Sequence, residues 1–458
     1  MSLVVAVAPG IDRFPLLDRL LRELHSRGHR TEALCFDAAE REFWRTQGHA
    51  CSLTQPQRFD PADARLARIP FAEFAEFELS RVGQRKTRRA LRSAESRLRR
   101  IAAAIYDRFD RDRPDLLLLH KRRTGAHLLA QFAAREAGIR VQWSGDGLLP
   151  GTIQIDSIGI DGDSPIARRS AWDYRNANVD EALLRAALAS AAGQSQPLPL
   201  PLRAPRPVTL RARVAAAWRG RGEGTGIGFF EGLAIGSRIQ DRSQHPAQSI
   251  DLPKEPFLAV LLQRRDDPRV RIDAKDAPTP LQLTLEAMRA AATLDRRATV
   301  VTILPPEGLA EADLRPLRHL DGVQLELAHA ASAACMAATA VVTINSPHAG
   351  VALLADTPVL HFGRALYGTP GVAFSTELGQ LAATLRMAMR DDQPELRRRF
   401  LSTVLQRSHL WCSADDPDHN GINGWILRIE DELAQKMTYG ADLRYRAGPA
   451  WPLQEERR

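Results

Sequence analysis

Hydrophobic positions along the chain follow two alternating patterns, one typical of buried strands and one typical of amphipathic helices. Apolar runs of strand length are separated by segments in which apolar residues recur every three or four positions. In the N-terminal third of the chain, strands are predicted at 3–8, 31–36, 115–119 and 139–143, and helices at 14–27, 101–110 and 125–137. This alternation predicts a mostly parallel sheet with helices on both faces.

The same alternation returns in the second half of the chain. Strands are predicted at 257–262, 298–303, 323–327, 340–344 and 358–362, and helices at 281–294 and 330–337. Five prolines between Pro197 and Pro207 indicate a semi-rigid linker. We therefore expect an α/β protein with two Rossmann-like domains that face a cleft. The domains are predicted at 1–195 and 251–390, with a linker and glycine-rich region at 196–250 and C-terminal helices at 391–458 that can return to the first domain.

The composition narrows the class of protein. Of the 458 residues, 44% are hydrophobic and 26% are charged, which is typical of a globular protein and excludes wholesale disorder. The longest apolar runs are too short to span a membrane, and the first residues lack the basic region of a signal peptide. The four cysteines are widely spaced, which argues against a disulfide framework or a zinc site. We expect a cytoplasmic protein without a metal.

The formal net charge of +8 indicates an anionic partner but does not identify it. Much of the excess positive charge lies between Arg85 and Arg100, and Leu91, Leu98 and Ile105 recur at helical spacing in this stretch and just after it. This segment is predicted to be an amphipathic helix with a basic face. A solvated surface and a docking face for an anionic membrane both fit that pattern. Because no aromatic residues that could stack on bases lie between the arginines, we expect no nucleic-acid partner.

The strongest local signal for a binding site follows the predicted strand that ends at Ile344. Asn345 and Ser346 come next, and Pro347 suits the first position of a helix whose N-cap would be Ser346. The free amide groups at such a helix start favour an anion such as a nucleotide phosphate. An ordinary capped helix explains the same residues, and His348 alone adds little.

Two other predicted strands also end in polar residues. Asp146 lies between two glycines, where a carboxylate can approach a substrate closely, although a simple Gly-Asp-Gly turn fits equally well. Gln263 and Arg264 follow the strand at 257–262 and are a weak signal by themselves. Since ligands of open α/β sheets bind beyond the carboxyl ends of the strands, we expect these segments to face one cleft.

Taken in order, these segments resemble the capsule polysaccharide biosynthesis family, which includes β-Kdo transferases. In the first half, the resemblance rests on 145–150, 152–156, 159–161, Ser164, Arg168 or Arg169, and Tyr174. In the second half, it rests on Leu262, Gln263, Asp267, Asn345, Ser346, Gly350, Pro358, Val359, Gly363, Ala365, Tyr367 and Gly371. The matching segments keep their order over residues 1–375.

The resemblance implies a GT-B-like glycosyltransferase that uses CMP-Kdo or a related CMP-linked acid sugar, with retention at the anomeric carbon and no cofactor. The acceptor would be a surface glycan or its lipid anchor, met at the inner face of the cytoplasmic membrane. Asp146 would be the catalytic carboxylate. The nucleotide-binding residues implied are Gln263, Asp267, Asn345, Ser346, His348 and Gly350, and the substrate-binding residues are Asp156, Asp161, Arg168, Arg169 and Arg264.

The sequence departs from the family pattern at three places. Gly145 stands where the family has a glutamate, so that the carboxylate of Asp146 is displaced by one residue. The family's Lys-x-His-Pro segment for the nucleotide phosphate is replaced by 303–307, which lacks both basic groups, and Val351 replaces a frequent acidic residue. Arg264, His348 and Arg364 are the candidates to replace the missing cations. A second hypothesis is therefore a catalytically weak family member that binds a nucleotide or glycan as an assembly partner.

Overall fold

The computed structural model places two α/β domains side by side. It describes residues 1–10, 14–36, 38–53, 63–81, 84–120, 124–192, 252–274, 276–294, 298–306, 308–390, 393–412 and 419–434. The predicted linker and glycine-rich region at 196–250 lies outside the described residues, as do the residues after 434.

The first sheet contains these described strands: β1 (Leu3–Val7), β2 (Arg30–Cys35), β3 (Cys51–Leu53), β4 (Leu116–His120), β5 (Arg140–Asp146), β6 (Thr152–Asp156) and β13 (His409–Trp411). Their order across the sheet is β3-β2-β1-β4-β5-β6-β13. Strands β1 to β5 are parallel, whereas β6 is antiparallel to both of its neighbours. The parallel part has the strand order of a Rossmann half-sheet.

The second sheet contains β7 (Phe257–Leu261), β8 (Thr299–Ile303), β9 (Val323–Glu326), β10 (Ala340–Thr343), β11 (Val359–His361) and β12 (Phe374–Ser375). The described strands are all parallel, in the order β9-β8-β7-β10-β11-β12. This is the doubly wound order, which places the crevice beyond the carboxyl ends of β7 and β10. The prediction of two Rossmann-like α/β domains is confirmed.

Helices cover both sheets. In the first domain and the segment that follows it, they are α1 (Phe14–Ser26), α2 (Ala38–Thr46), α3 (Ala64–Ala67), α4 (Phe71–Arg81), α5 (Arg88–Arg111), α6 (Gly125–Ala137) and α7 (Glu181–Ala191). In the rest of the described chain they are α8 (Pro268–Asp273), α9 (Pro280–Leu294), α10 (Glu311–Leu317), α11 (Ala331–Ala337), α12 (Ala349–Leu354), α13 (Leu381–Ala388), α14 (Pro394–Arg407) and α15 (His419–Leu433). Short 3₁₀ helices lie at Asp161–Asp163, Pro165–Arg168, Ala171–Tyr174 and Ala328–Ala330.

The basic segment forms most of α5, the longest described helix. Its N-cap is Thr87, whose Oγ1 accepts a hydrogen bond from the N–H of Ala90 at 3.2 Å. Leu98 and Ile105 are buried on the inner face, as the apolar spacing predicts. The arginines near its N-terminus are exposed, including Arg88, Arg89 and Arg92. The helix therefore packs on one face and carries its positive charge toward solvent.

The last described elements pack on the first domain after the chain has built the second. His409 in β13 pairs with Gln154 in β6, and α15 packs against α1. The indole N–H of Trp425 donates to Oε1 of Gln142 at 2.6 Å, and Nε2 of Gln142 donates to Glu432 at 2.9 Å. These buried contacts anchor the C-terminal segment beside β5.

Candidate functional site

A cavity lies between the two domains at the carboxyl ends of β5, β7 and β10. From the first domain it is lined by Asp146, Gly147, Leu148, Gln154 and Asp161. From the second it is lined by Arg269, Asn345, Pro347, Arg364, Ala365, Leu366 and Tyr367. Ligands of open α/β sheets bind in this place, in the crevice beyond the carboxyl ends of the strands where the strand order reverses.

Asp146 is the last residue of a strand, which corrects the prediction that it lies on a loop. Strand β5 extends past Trp143 because it pairs with β6, where Asp146 lies opposite Ile153. The glycines beside Asp146 are explained by packing: a Cβ atom at Gly145 would lie 2.6 Å from Cδ1 of Ile160, and one at Gly147 would lie 2.1 Å from Oγ1 of Thr152. They allow the hairpin to close tightly.

The hairpin turn that follows Asp146 is held by His409. The N–H of Leu148 donates to Nε2 of this histidine at 2.8 Å, and its Nδ1 lies 3.0 Å from Oγ of Ser408. Burial lowers the pKa of His409 to about 3, so that the ring is neutral and Nε2 can accept. Sequence reasoning missed this residue because it reaches the site from a strand far along the chain.

Asp146 is paired across the cleft with Arg269, the most important residue that sequence reasoning missed. Nη2 of Arg269 donates to Oδ2 of Asp146 at 3.1 Å, and Nε donates to Oδ1 of Asp161 at 3.1 Å. The Arg269 side chain is 13% exposed. Burial lowers its pKa, but the charges of Asp161, Asp146 and Asp267 outweigh this effect and raise the pKa above its usual range.

A second arginine also joins the domains. Nη2 of Arg364 donates to Asp163 of the first domain at 3.2 Å and to Asp273 of its own domain at 2.8 Å. The Arg364 side chain is 40% exposed, whereas that of Asp273 is fully buried. Arg264, His348 and Arg364 are the candidates to replace the lysine and histidine of the family's Lys-x-His-Pro segment. Of these three, Arg364 lines the cavity.

The predicted nucleotide-binding residues Gln263, Asp267 and Asn345 surround Arg269. Nε2 of Gln263 donates to Oδ1 of Asn345 at 2.9 Å, and Oε1 of Gln263 accepts from the Asn345 N–H at 3.0 Å. Nδ2 of Asn345 donates to the carbonyl oxygens of Arg269 at 3.1 Å and Arg364 at 3.3 Å. Asp267 is the N-cap of α8, and its Oδ1 accepts from the Arg269 N–H at 2.8 Å. The three side chains therefore fix the main chain at the cleft arginines.

The predicted helix start at Ser346 is wrong. Helix α12 begins at Ala349, with His348 in the cap position and no side-chain capping bond. The N–H of Ser346 donates to Oγ1 of Thr343 at 3.2 Å, and its carbonyl accepts from the Tyr367 hydroxyl at 2.9 Å. The residues at 346–348 form a turn before the helix, in which the N–H of Ala349 donates to the carbonyl oxygen of Ser346 at 3.2 Å.

Gly350 and His348 have other positions in the structure. Gly350 lies under the hairpin of the first domain, where an added Cβ atom would lie 2.2 Å from the carbonyl oxygen of Leu148. This glycine therefore permits a close contact between the domains. His348 is half-buried and does not line the cavity, although its carbonyl oxygen accepts from Sγ of Cys335 at 3.8 Å.

Of the predicted substrate-binding residues, the structure brings only Asp161 into the cavity. Asp156 is fully buried and accepts from Ser164 Oγ at 2.9 Å and from the N–H groups of Ile158 and Gly159. The others line no part of the cavity. Arg168 and Arg169 are half-buried at the end of the 3₁₀ helix Pro165–Arg168, and Arg264 is half-buried and paired with Asp266 at 2.7 Å.

Gln154 is a further cavity residue that sequence reasoning did not select. It is fully buried in β6, and its Oε1 accepts from the Asp161 N–H at 3.1 Å. Its Nε2 has no hydrogen-bond partner within the described ranges. The sequence signal was limited to its place in the stretch 152–156, which resembles the capsule family.

The described residues include no group of three or more histidine, cysteine, aspartate or glutamate side chains suited to a metal ion. Of the helices that the structure describes, none has the length and apolar character needed to cross a bilayer.

Comparisons with known proteins identify no family. No family model and no curated protein match this chain. Among solved structures, the Streptomyces sp. SF2575 glycosyltransferase SsfS6 is 14% identical, with 93% of this chain and 100% of that chain covered and a TM-score of 0.35. S. aureus MnaA with UDP is 10% identical over 95% and 98%, with a TM-score of 0.36. The β-Kdo 2,7 transferase KpsC of Thermosulfurimonas dismutans is 14% identical over 72% and 89%, with a TM-score of 0.33.

Proposed function

We propose that this protein is a GT-B-like glycosyltransferase that moves a sugar from a nucleotide-activated donor to a glycan or lipid-linked acceptor. The observation that carries the proposal is the position of Asp146 at the end of β5, opposite the polar residues that end β7 and β10. A donor in this cleft would bind its nucleotide to the second domain and present its anomeric carbon to the carboxylate.

The donor we propose is CMP-Kdo or a related CMP-linked acid sugar, used in the synthesis of a surface polysaccharide. The support is the ordered resemblance of residues 1–375 to the capsule polysaccharide family. The three polar residues Gln263, Asp267 and Asn345 belong to that resemblance and form one hydrogen-bonded group, in which Asn345 lines the cavity. Their part in nucleotide binding would be to hold the cleft arginines in place.

Retention at the anomeric carbon follows if Asp146 acts as a nucleophile. Its carboxylate oxygen would bond to the anomeric carbon while the bond to the phosphate oxygen breaks and the nucleotide leaves with the electron pair. The acceptor oxygen would then bond to the anomeric carbon while the bond to the carboxylate breaks and Asp146 regains its electron pair, and the hydroxyl proton would pass to water. Two displacements at one carbon restore the original configuration.

The acceptor and the basic helix suggest where the protein acts. The exposed arginines of α5 fit an anionic lipid surface, since each basic residue near such a surface contributes about 1 kcal/mol. We propose peripheral docking at the inner face of the cytoplasmic membrane, where a lipid-linked acceptor would be met.

The proposed function is tested by following nucleotide release and product formation from CMP-Kdo, with UDP- and GDP-sugars as comparison donors. We expect the wild type to consume one of these donors. Asp146→Asn should fold normally and lose transfer, whereas Asp107→Asn, a change at an exposed residue of α5, should retain it. Binding of a nucleotide without any transfer by the wild type would contradict the catalytic role and favour the assembly-partner hypothesis.

A further inference from the structure

We propose that Arg269 binds the phosphate group of the donor, and that Asp146 and Asp161 occupy its guanidinium until the donor arrives. The inference rests on the proposed function and names the residue that replaces the missing basic pair. Donor binding would then release Asp146 from its ion pair as the reaction centre comes into place. The carboxylate would become free only when a substrate is present.

The guanidinium of Arg269 has the chemistry and the position for this role. It lines the cavity with a side chain that is 13% exposed, and Nε and Nη2 form the two bonds to Asp161 and Asp146. Arginine presents its donors as a planar fork that matches a phosphate as well as it matches carboxylates. Phosphate oxygens can therefore take over the two donors that bond to the aspartates in the structure.

The main chain of Arg269 is held at both of its polar groups. Its N–H donates to Oδ1 of Asp267, and its carbonyl accepts from Nδ2 of Asn345, whose Oδ1 accepts in turn from Gln263. A binding residue on a fixed main chain loses little freedom when a ligand arrives. This support explains why residues expected to bind the nucleotide gather around an arginine.

Gln154 is an independent indication that a ligand with acceptor oxygens belongs in the cavity. Its side chain is fully buried and lines the cavity, and its Nε2 has no partner in the described part of the chain. A buried amide donor without an acceptor is unfavourable. Oxygen atoms of a phosphate or of an acid sugar would accept from it, while Oε1 keeps its bond to the Asp161 N–H.

Arg364 fits this role less well, although it also lines the cavity. One of its carboxylate partners, the fully buried Asp273, belongs to its own domain and would stay with it if the domains moved apart. Both carboxylate hydrogen-bond partners of Arg269 come from the first domain. Separation of the domains would therefore expose Arg269 to an incoming anion and leave Arg364 paired.

The experiment removes the charge of Asp161. If Asp161 and the donor phosphate compete for Arg269, the nucleotide should bind more tightly when that charge is absent. In calorimetric titrations with CMP, UDP and GDP, Asp161→Asn should bind the preferred nucleotide about 5- to 10-fold more tightly, the size expected for loss of one partly buried ion pair. Asparagine suits the positive φ of 54° at this position. Asp163→Asn, which removes a first-domain partner of Arg364, is the matched control and should give no such gain.

Substitutions of Arg269 complete the test. Arg269→Gln should weaken nucleotide binding about 10-fold or more, and adding Asp161→Asn to it should give no gain. Arg269→Lys keeps the charge but loses the planar arrangement of donors, so its nucleotide affinity should lie between those of the wild type and Arg269→Gln. Melting curves followed by circular dichroism would verify that each variant folds. An ion pair that only joins the domains predicts a lower melting temperature for Asp161→Asn with unchanged or weaker nucleotide binding.

The outcomes separate this inference from the proposed function. A wild type that binds a nucleotide and transfers sugar, with Arg269 and Asp161 variants of unchanged affinity, would overturn the role of Arg269 alone. A wild type that binds none of the three nucleotides would overturn both. Tighter binding by Asp161→Asn that disappears without Arg269 would establish the exchange of carboxylate for phosphate.

Discussion

Asp156 offers a test of the buried structure beside the site. Its Oδ1 accepts from the N–H groups of Ile158 at 2.7 Å and Gly159 at 3.3 Å, and its Oδ2 accepts from Ser164 Oγ at 2.9 Å. Burial raises the pKa of Asp156 to about 7, and these hydrogen bonds offset only part of that effect. The folded protein thus holds this proton more tightly than the unfolded chain.

The sign and size of the effect on stability follow from this difference. The stabilising contribution of the protonated group is fully present below the unfolded pKa of about 3.9 and is lost as pH rises through the folded pKa of about 7. A difference of about 3 pKa units corresponds to about 4 kcal/mol in the free energy of unfolding. Stability should therefore decrease from pH 4 to pH 7 and then level off with respect to this group.

Asp156→Asn removes the titration and preserves the geometry. The asparagine Oδ1 can accept from both N–H groups, and its Nδ2 can donate to Ser164 Oγ. The free energy of unfolding is measured with urea at pH 5 and at pH 8. It should fall less between these two pH values in the variant than in the wild type, by about 1–3 kcal/mol. This is smaller than the full effect because part of the change takes place below pH 5. Glu432, whose pKa burial also raises to about 7, leaves a residual dependence.

The control for this experiment is Asp107→Asn on α5, the same replacement at a side chain that is 48% exposed, with unfolding measured at the same two pH values. If Asp156→Asn loses as much stability between pH 5 and pH 8 as the wild type does, Asp156 is ionised in the folded protein and the reasoning is refuted. Loss of folding by the variant at pH 5 would also refute it, because the neutral carboxyl and the amide would then not be equivalent.

Three further predictions concern the site and the basic helix. Asp146→Asn should leave the melting temperature within a few degrees of the wild type and reduce transfer about 10²-fold or more, since the charge opposite the anomeric carbon is lost; wild-type turnover in this variant would place the chemistry elsewhere. Asn345→Ala should weaken nucleotide binding by about 1 kcal/mol or more, because the main chain of Arg269 loses a buried partner, and unchanged calorimetric affinity would contradict this. Binding to anionic liposomes through Arg88, Arg89 and Arg92 should decline as salt rises, and equal flotation with neutral vesicles would show that α5 is only solvated.

The architecture could be predicted because parallel strands buried on both faces must be almost continuously apolar. Strands β1, β4, β7 and β10 are such runs, and each lies close to its predicted position. The short strands β3, β12 and β13 could not be predicted, since two or three residues carry no periodicity. The last residues of β5 are polar and small, and they are strand only because β6 turns back to pair with them.

The positions of some candidate residues could be predicted, although their roles stay predictions. Asp146 and Asn345 line one cavity, and Gln263 is bonded to Asn345, as their places after predicted strands implied. Arg269 was missed because an arginine in the first turn of a short helix looks the same in sequence whether it faces solvent or another domain. The predicted helix start at Ser346 is three residues too early, because residues 346–348 form a turn whose contacts include the Tyr367 hydroxyl, 21 residues away in the sequence.

The position of Arg269 offers a physical reason for one difference between this sequence and the capsule polysaccharide family that it resembles. The family's Lys-x-His-Pro segment would follow β8, whereas Arg269 lies in α8, after β7. In the doubly wound order β7 and β10 are neighbours at the centre of the sheet, and β8 is one strand farther from β10. If Arg269 binds the phosphate, the positive charge has moved one strand toward the crevice and toward Asn345. The phosphate would then lie opposite Asp146, the carboxylate to which Arg269 is bonded in the structure.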